Sequence, residues 1–497
     1  MRLLLALLFV LAALPGRSTG GDELAELKTR LRDRDKWVRA GAVEKLAAAG
    51  TPEAWEEVLG ALADPAGEVA DTAQWELGRA AVPELSAHLL GKQGLGAKDA
   101  LVRERAAEVF GRTPAPVDPA RLARGLLDRE PRVRRALLAA VAARAGAQGF
   151  PEDADKLAYA VERCASEERD PRAAGEALLA LAALAPERAR AAWPRLAADS
   201  PPAAVTCAAA RCAQALGLSA GHLALLGRSK ERAVRAEAAA ALARAGTADA
   251  ARALVDLLAA EGEERLARCM LEELRALSGL KHGRDPRPWR DWAVALPAGW
   301  RPAARTPAKA PAEGDGERSV SLAGLPILSG RVVFLIDLSG SMWKEREDRR
   351  TRKEAVDAEL RTCLERLPET TRFNVIPYTS HPLPWKPGLE PATARNRAAA
   401  ATWFEGLRDQ GTGNFFDAFL LALADPEVDS LVMLGDGEPT GGARYRLELL
   451  PALVDLENLG RAVVIDSIVV GTRSRCTIET WREIARRTGG MSLHVEL

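Results

Sequence analysis

An apolar triplet at positions i, i+4 and i+8 returns seven times in the first half of the chain. It reads Val38-Ala42-Leu46, Val69-Ala73-Leu77, Val102-Ala106-Phe110, Val133-Leu137-Val141, Ala173-Ala177-Leu181, Ala204-Ala208-Cys212 and Val234-Ala238-Leu242. A spacing of four places the three residues on one face of a helix. The steps between copies are 31, 33, 31, 40, 31 and 30 residues, enough for two short helices and two turns each. The middle position is usually Ala, which lets neighbouring helices approach closely. Asp33, Asp64, Asp128, Asp170 and Asp199 stand a few residues ahead of several copies, as N-cap or turn residues would.

This pattern resembles a HEAT-type solenoid of the short-repeat kind. The resemblance implies an all-α arm over residues 22–296 with about seven helix pairs, stacked into a curved rod whose concave face is a binding surface. Arg follows Val in four copies, as Arg39, Arg103, Arg134 and Arg235. These arginines either line that face or dress a solvated helix surface. Trp289 and Trp292, three apart, are placed to cap the open end of the helical core. Residues 297–319 are rich in Pro, Ala and charge, with Pro302, Pro307 and Pro311 spaced through them. That composition reads as a semi-extended linker.

The pattern then changes. Val332-Val333-Phe334-Leu335-Ile336 is a continuous apolar run, as expected of a strand buried on both faces of a parallel sheet. Its end flips to Asp337-Leu338-Ser339-Gly340-Ser341, with a carboxylate and two hydroxyls at alternating positions. Such hard oxygen donors suit Mg²⁺ or Mn²⁺ rather than zinc. The carboxyl end of a parallel strand is also where open α/β sheets hold ligands. Over 320–497 strand and helix patterns alternate, which predicts an α/β domain. Expected strands are Arg331–Ile336, Arg372–Tyr378, Ser430–Leu434, Ala462–Val470 and Met491–Val495. Expected helices are Arg352–Leu367, Ala392–Leu407, Phe415–Ala424, Leu447–Leu456 and Thr477–Arg487. The prolines of Pro384–Lys386 leave a strand there open.

The Asp-x-Ser-Gly-Ser loop resembles the metal-ion-dependent adhesion site (MIDAS) of a von Willebrand factor type A (VWFA) domain. Leu431-Val432-Met433-Leu434-Gly435-Asp436-Gly437 resembles that family's later Asp-Gly loop, and Gly411-Thr412-Gly413-Asn414-Phe415-Phe416-Asp417 its middle loop. Aligned on Asn414 and Asp417, Gly413 stands where the family carries a metal-ligating Thr, and Thr412 is one residue early. The resemblance implies a Rossmann-like, mostly parallel sheet with one antiparallel edge strand. It also implies a metal site of Asp337, Ser339, Ser341, Thr412 and Asp436, the two carboxylates acting largely through water. Either Thr412 reaches the metal through a shifted loop, or the site has one ligand fewer and holds metal more weakly. In the family the open metal position accepts an Asp or Glu side chain from a partner protein. Glu438, Pro439 and Thr440 would rim that opening, unless Glu438 fills it.

Composition excludes other classes. Lys+Arg and Asp+Glu both total 69, and aromatics are only 5%. Neither a basic field nor a base-stacking surface for nucleic acid is present. The five His (His88, His222, His282, His381, His494) are scattered, and there is no His-Glu-x-x-His, Gly-x-Ser-x-Gly or phosphate-binding loop. No enzyme is expected, His381 being the one acid/base candidate near the metal edge. The six cysteines follow no metal or redox spacing. Arg2 followed by a short apolar run to Ala13, then small residues to Gly20, predicts a signal peptide over 1–20 and a periplasmic or extracellular location. No later stretch is apolar enough for a transmembrane helix. The expectation is an exported binding protein that uses a divalent metal to capture an acidic group of a protein partner. The alternative is a scaffold whose repeats bind the partner while the metal site is degenerate.

Overall fold

The computed structural model describes residues 21–147, 149–150, 154–198, 200–303, 320–345 and 350–496. The signal peptide expected over 1–20, Asp199, and the linker beyond Ala303 lie outside these residues. No described helix is long and apolar enough to cross a membrane. All six cysteines carry free thiols.

The first part is helical, arranged in two rows. Eight helices form one row: α1 (Lys36–Ala49), α2 (Gly67–Arg79), α3 (Ala100–Phe110), α4 (Pro131–Ala147), α5 (Pro171–Leu184), α6 (Ala203–Arg211), α7 (Arg232–Ala245) and α8 (Glu264–Ser278), each packed on the next. Helices such as Pro52–Gly60, Asp155–Glu167 and Ala248–Ala260 form the second row behind them. Every apolar triplet falls on a front-row helix except for Cys212, which caps the end of α6, and its residues are buried except Val38 and Cys212. Leu266, Met270 and Leu274 of α8 form an eighth buried triplet of the same spacing. Trp289 is fully buried, donates to Gly283 O at 2.8 Å and stacks edge-on with Trp292.

The recurring arginines turn out to be staples between copies. Arg39 forks onto Asp64, Arg103 onto Asp128, Arg134 onto Glu168, and Arg235 onto Glu261 and Glu263. The Nη1 of each also donates to backbone carbonyls ahead of its own helix, Asp33 and Arg34 for Arg39, Ala97 and Lys98 for Arg103. Each staple fixes one helix start and the next turn at once. This explains the recurring Asp: Asp64 and Asp128 accept from the N–H two residues on and from the preceding Arg, and among those described only Asp170 caps its own helix directly. Lysine keeps the charge and loses the planar fork. Arg103→Lys is therefore expected to cost about 2 kcal/mol in urea unfolding, whereas the exposed Arg163→Lys should be silent.

The second part is a six-stranded sheet of β1 (Arg331–Asp337), β2 (Arg372–Tyr378), β3 (Glu390–Pro391), β4 (Ser430–Gly435), β5 (Val464–Val470) and β6 (Ser492–Val495), in the order β3-β2-β1-β4-β5-β6. All neighbours are parallel except β3, which pairs antiparallel with β2. Pro384–Lys386 is not a strand, although Trp385 N–H donates to Val375 O at 2.9 Å. Side chains alternate between two cores. Val332, Phe334 and Ile336 pack under α9 (Arg352–Arg366) and α10 (Ala394–Gly406). Val333 and Leu335 pack under α11 (Phe415–Ala424), α12 (Leu450–Asn458) and α13 (Arg475–Thr488).

The two parts touch along the front row. Arg105 (α3) donates to Ala443 O, Arg135 (α4) and Arg172 (α5) pair with Glu457, Arg232 (α7) donates to Ala462 O and Arg461 O, and Arg265 (α8) meets buried Asp466 at 2.9 Å. In return Arg444 enters a pocket on α2 and α3, at 2.8 Å from Glu108, 3.2 Å from Glu104 and 2.7 Å from Gln74 Oε1.

Candidate functional site

β1 runs to one side through β2, and the chain then crosses back to lay β4 on the other side of β1. The carboxyl ends of β1 and β4 are thus the switch point of the sheet, where its loops part and leave a crevice. Asp337 closes β1 there and Asp436 follows β4. Ile336 is opposite Leu434 in the register, so Gly435 lies beside Asp337. A Cβ on Gly435 would stand 2.6 Å from Asp337 Cβ, so only glycine leaves that side chain its place.

Asp337 is buried, and its Oδ1 accepts from Ser339 N–H at 2.7 Å. Ser339 is also buried, and its hydroxyl lies 3.0 Å from that of Ser341 in the 3-10 turn Gly340–Trp343. Burial first, and then the charge of Asp436, push the Asp337 carboxyl up to about 7, against the Ser339 hydrogen bonds. The same burial and the same two carboxylates raise the Tyr378 phenol well above its ordinary value. No Lys, Arg or His is paired with Asp337 among the described residues. Buried carboxylates are ordinarily paired with a cation or bound to metal. Two acidic groups and two hydroxyls, all oxygen donors, are a set that fits a hard dication. Among the described residues no group of three or more His, Cys, Asp or Glu is placed to hold a metal ion, at this edge or elsewhere, so a cation here would rest on two carboxylates and two hydroxyls.

The middle loop is arranged differently from the sequence alignment's simplest outcome. Thr412 Oγ1 donates to Ser380 Oγ at 3.2 Å, and Ser380 Oγ also accepts from Thr412 N–H. It is Gly413 that faces the acidic pair: a Cβ there would sit 3.5 Å from Asp337 Oδ2, an ordinary contact. Asn414 caps α11 by accepting from Asp417 N–H, and its amide donates to Asp417 Oδ2 at 2.7 Å. Glu438 turns from the opening to accept from Thr477 Oγ1 at 3.0 Å. His381 is exposed, in the turn after β2, and its ring makes no hydrogen bond among the described residues. Sequence reasoning missed Ser380, and it placed Thr440 only on the rim of the opening, not in contact with the middle loop. Thr440 Oγ1 accepts from Gly413 N–H at 2.9 Å and its own N–H donates to Gly413 O at 3.1 Å.

No protein-family profile matches the chain. Inter-alpha-trypsin inhibitor heavy chain H4 of Homo sapiens is 32% identical over 131 residues, 24% of this chain and 13% of that protein. The heavy chain H2 of Homo sapiens is 32% identical over 123 residues, 22% of this chain and 12% of that protein. A von Willebrand factor A domain-containing protein 3A of Homo sapiens is 26% identical over 165 residues, 33% of this chain and 13% of that protein. The chain thus spans about an eighth of the length of these relatives. Among solved structures, the protein BatB from Bacteroides thetaiotaomicron is 17% identical and covers 33% of this chain and 89% of its own, at a TM-score of 0.26.

Proposed function

We propose that this chain is a non-enzymatic binding protein whose α/β domain is of the VWFA type and takes Mg²⁺ or Mn²⁺ at the β1/β4 edge to capture an acidic side chain of a protein partner. The observation that carries the reading is the buried Asp337 beside Asp436, without a basic partner among the described residues and with two serine hydroxyls converging on the same edge. Asp337, Ser339, Ser341 and Asp436 would hold the ion. Thr412 joins them only by giving up Ser380. A bound dication short of one anionic ligand supplies a Lewis-acidic position for a carboxylate. Ser339 N–H keeps the Asp337 carboxylate oriented, and the Glu438–Thr477 hydrogen bond holds that side chain aside. On the same reading residues 22–296 are a HEAT-type arm, 297–319 a linker and 320–497 the metal-dependent domain, exported behind a signal peptide.

The second reading, a scaffold with a degenerate metal site, is favoured by Gly413. The front row of helices, however, already carries the chain's own α/β domain on Arg105, Arg135, Arg172, Arg232 and Arg265. Retention of the full chain on immobilised Asp- and Glu-containing peptides, with Mg²⁺ or with chelator, tests the proposal. Retention that chelator abolishes is expected; equal retention under both conditions would contradict it. Gly413→Thr separates a weak site from a dead one. A Cβ there meets only ordinary contacts, 3.5 Å from Asp337 Oδ2, and an added hydroxyl ligand is expected to tighten Mg²⁺ about tenfold, or about 1.4 kcal/mol.

A further inference from the structure

We infer that the segment Thr440–Arg446 couples divalent-cation binding at the β1/β4 edge to docking of the α/β domain on the helical array, so that each stabilises the other. The inference rests on the metal-site reading above. Its basis is an unbroken series of close contacts from the site to the array. Gly340 N–H donates to Gly411 O at 3.1 Å, which ties the Asp337 loop to the middle loop. Gly413 and Thr440 exchange two hydrogen bonds, which ties the middle loop to the segment after Asp436.

The next two residues leave no slack. A Cβ on Gly441 would fall inside Thr412 Oγ1, and one on Gly442 would stand 2.6 Å from Asn414 Cγ. On its other side Gly442 lies against the array, where a Cβ on Gly67, the first residue of α2, would fall inside Gly442 O and stand 2.9 Å from Ala443 Cα. Backbone at Gly442 is therefore wedged between Asn414 of the middle loop and the start of α2, at a φ of 96° that favours glycine.

Beyond the wedge the segment is seated by charge. Asp71 accepts from Tyr445 N–H at 2.8 Å and Arg446 N–H at 3.2 Å, and Arg105 donates to Ala443 O at 2.6 Å. Arg444 fills the pocket of Glu104, Glu108 and Gln74. A cation that draws Asp436 toward Ser339 and Ser341 fixes the root of this segment and so presents its far end to Asp71 in the seated form. By linkage, seating must raise the affinity for the cation by the same factor.

The test is calorimetric titration of Mg²⁺ or Mn²⁺ into the full chain and its Gly67→Ala variant. Alanine at the first position of a helix costs that helix nothing, yet its methyl must push Gly442 away. Binding at least tenfold weaker in Gly67→Ala, with unchanged far-ultraviolet circular dichroism, is expected. Equal affinity in the two folded proteins would overturn the coupling while leaving the metal site standing. Absence of binding in the parent would overturn the metal reading itself, and the coupling with it. Amide hydrogen exchange of residues 440–446 in the parent decides independently of the variant's folding: cation should slow it, and exchange unaltered by saturating cation would refute the inference.

Discussion

Asp337→Asn in the full chain is expected to raise the metal-free melting temperature at pH 8 by ~5 °C or more and to abolish divalent-cation binding. The Asp337 carboxyl titrates near 7 in the fold because it is buried and faces Asp436, against 3.8 when unperturbed. A carboxyl with a raised folded value binds its proton more tightly in the folded chain. The stability it contributes is fully present below about 3.8 and is lost as pH rises through about 7. Asparagine keeps the shape and never ionises, so the variant escapes that loss. The gap between variant and parent should be absent at pH 4, open through the interval, and be complete by pH 8. Mg²⁺ should close it from the other side by stabilising only the parent. Melting curves at pH 4, 6 and 8 with and without Mg²⁺ check this, and a gap independent of pH would contradict it.

Arg444→Ala carries the second large effect, on the order of 3–5 kcal/mol of lost stability. Burial works against the charge of Arg444, but Glu108, Glu104 and Asp71 outweigh it and hold the guanidinium above the ordinary arginine value. Glu108 is raised in turn by burial, opposed first by Arg444. Removing the arginine leaves that carboxylate buried beside Glu104 with its principal counter-charge gone. Urea unfolding should show the loss, and the double variant Arg444→Ala with Glu108→Ala should recover part of it, since the stranded acid is then absent too. A change within about 0.5 kcal/mol, typical of surface sites, would mean that the pocket contributes little.

Periodicity made much of this molecule legible. The strand Arg372–Tyr378 and the helix Phe415–Ala424 are read to the residue, because their apolar runs give way there to the polar Thr379 and Asp425. Other ends shift by one to two residues, and Leu447–Leu456 divides into a 3-10 turn and α12, which runs on to Asn458. The eighth front-row helix escaped because its Leu266-Met270-Leu274 face opens on Glu264-Arg265 instead of the Asp and Val-Arg of earlier copies. The staples were half visible: the Arg recurs in sequence, but its acidic partner lies 25 residues on for Arg39 and 34 for Arg134.

The contact between the two parts was not legible. Arg265 and Asp466 are separated by 201 residues and Arg444 and Glu108 by 336, and no local pattern marks one as the partner of the other. At the site, Asp337, Ser339 and Ser341 lie on one short loop, so their convergence follows from the strand end alone. The direction of Thr412 does not, because Ser380, from the turn after β2, takes its hydroxyl. Whether Glu438 blocks or rims the opening likewise depended on Thr477, 39 residues away.

The central claim is that the β1/β4 edge holds a divalent cation despite Gly413. Calorimetric titration of Mg²⁺ and Mn²⁺ into the full chain, beside Asp337→Asn, tests it most directly. One saturable site in the parent that vanishes in a folded Asp337→Asn is the predicted result. No binding in the folded parent, or binding that survives the substitution unchanged, would contradict it.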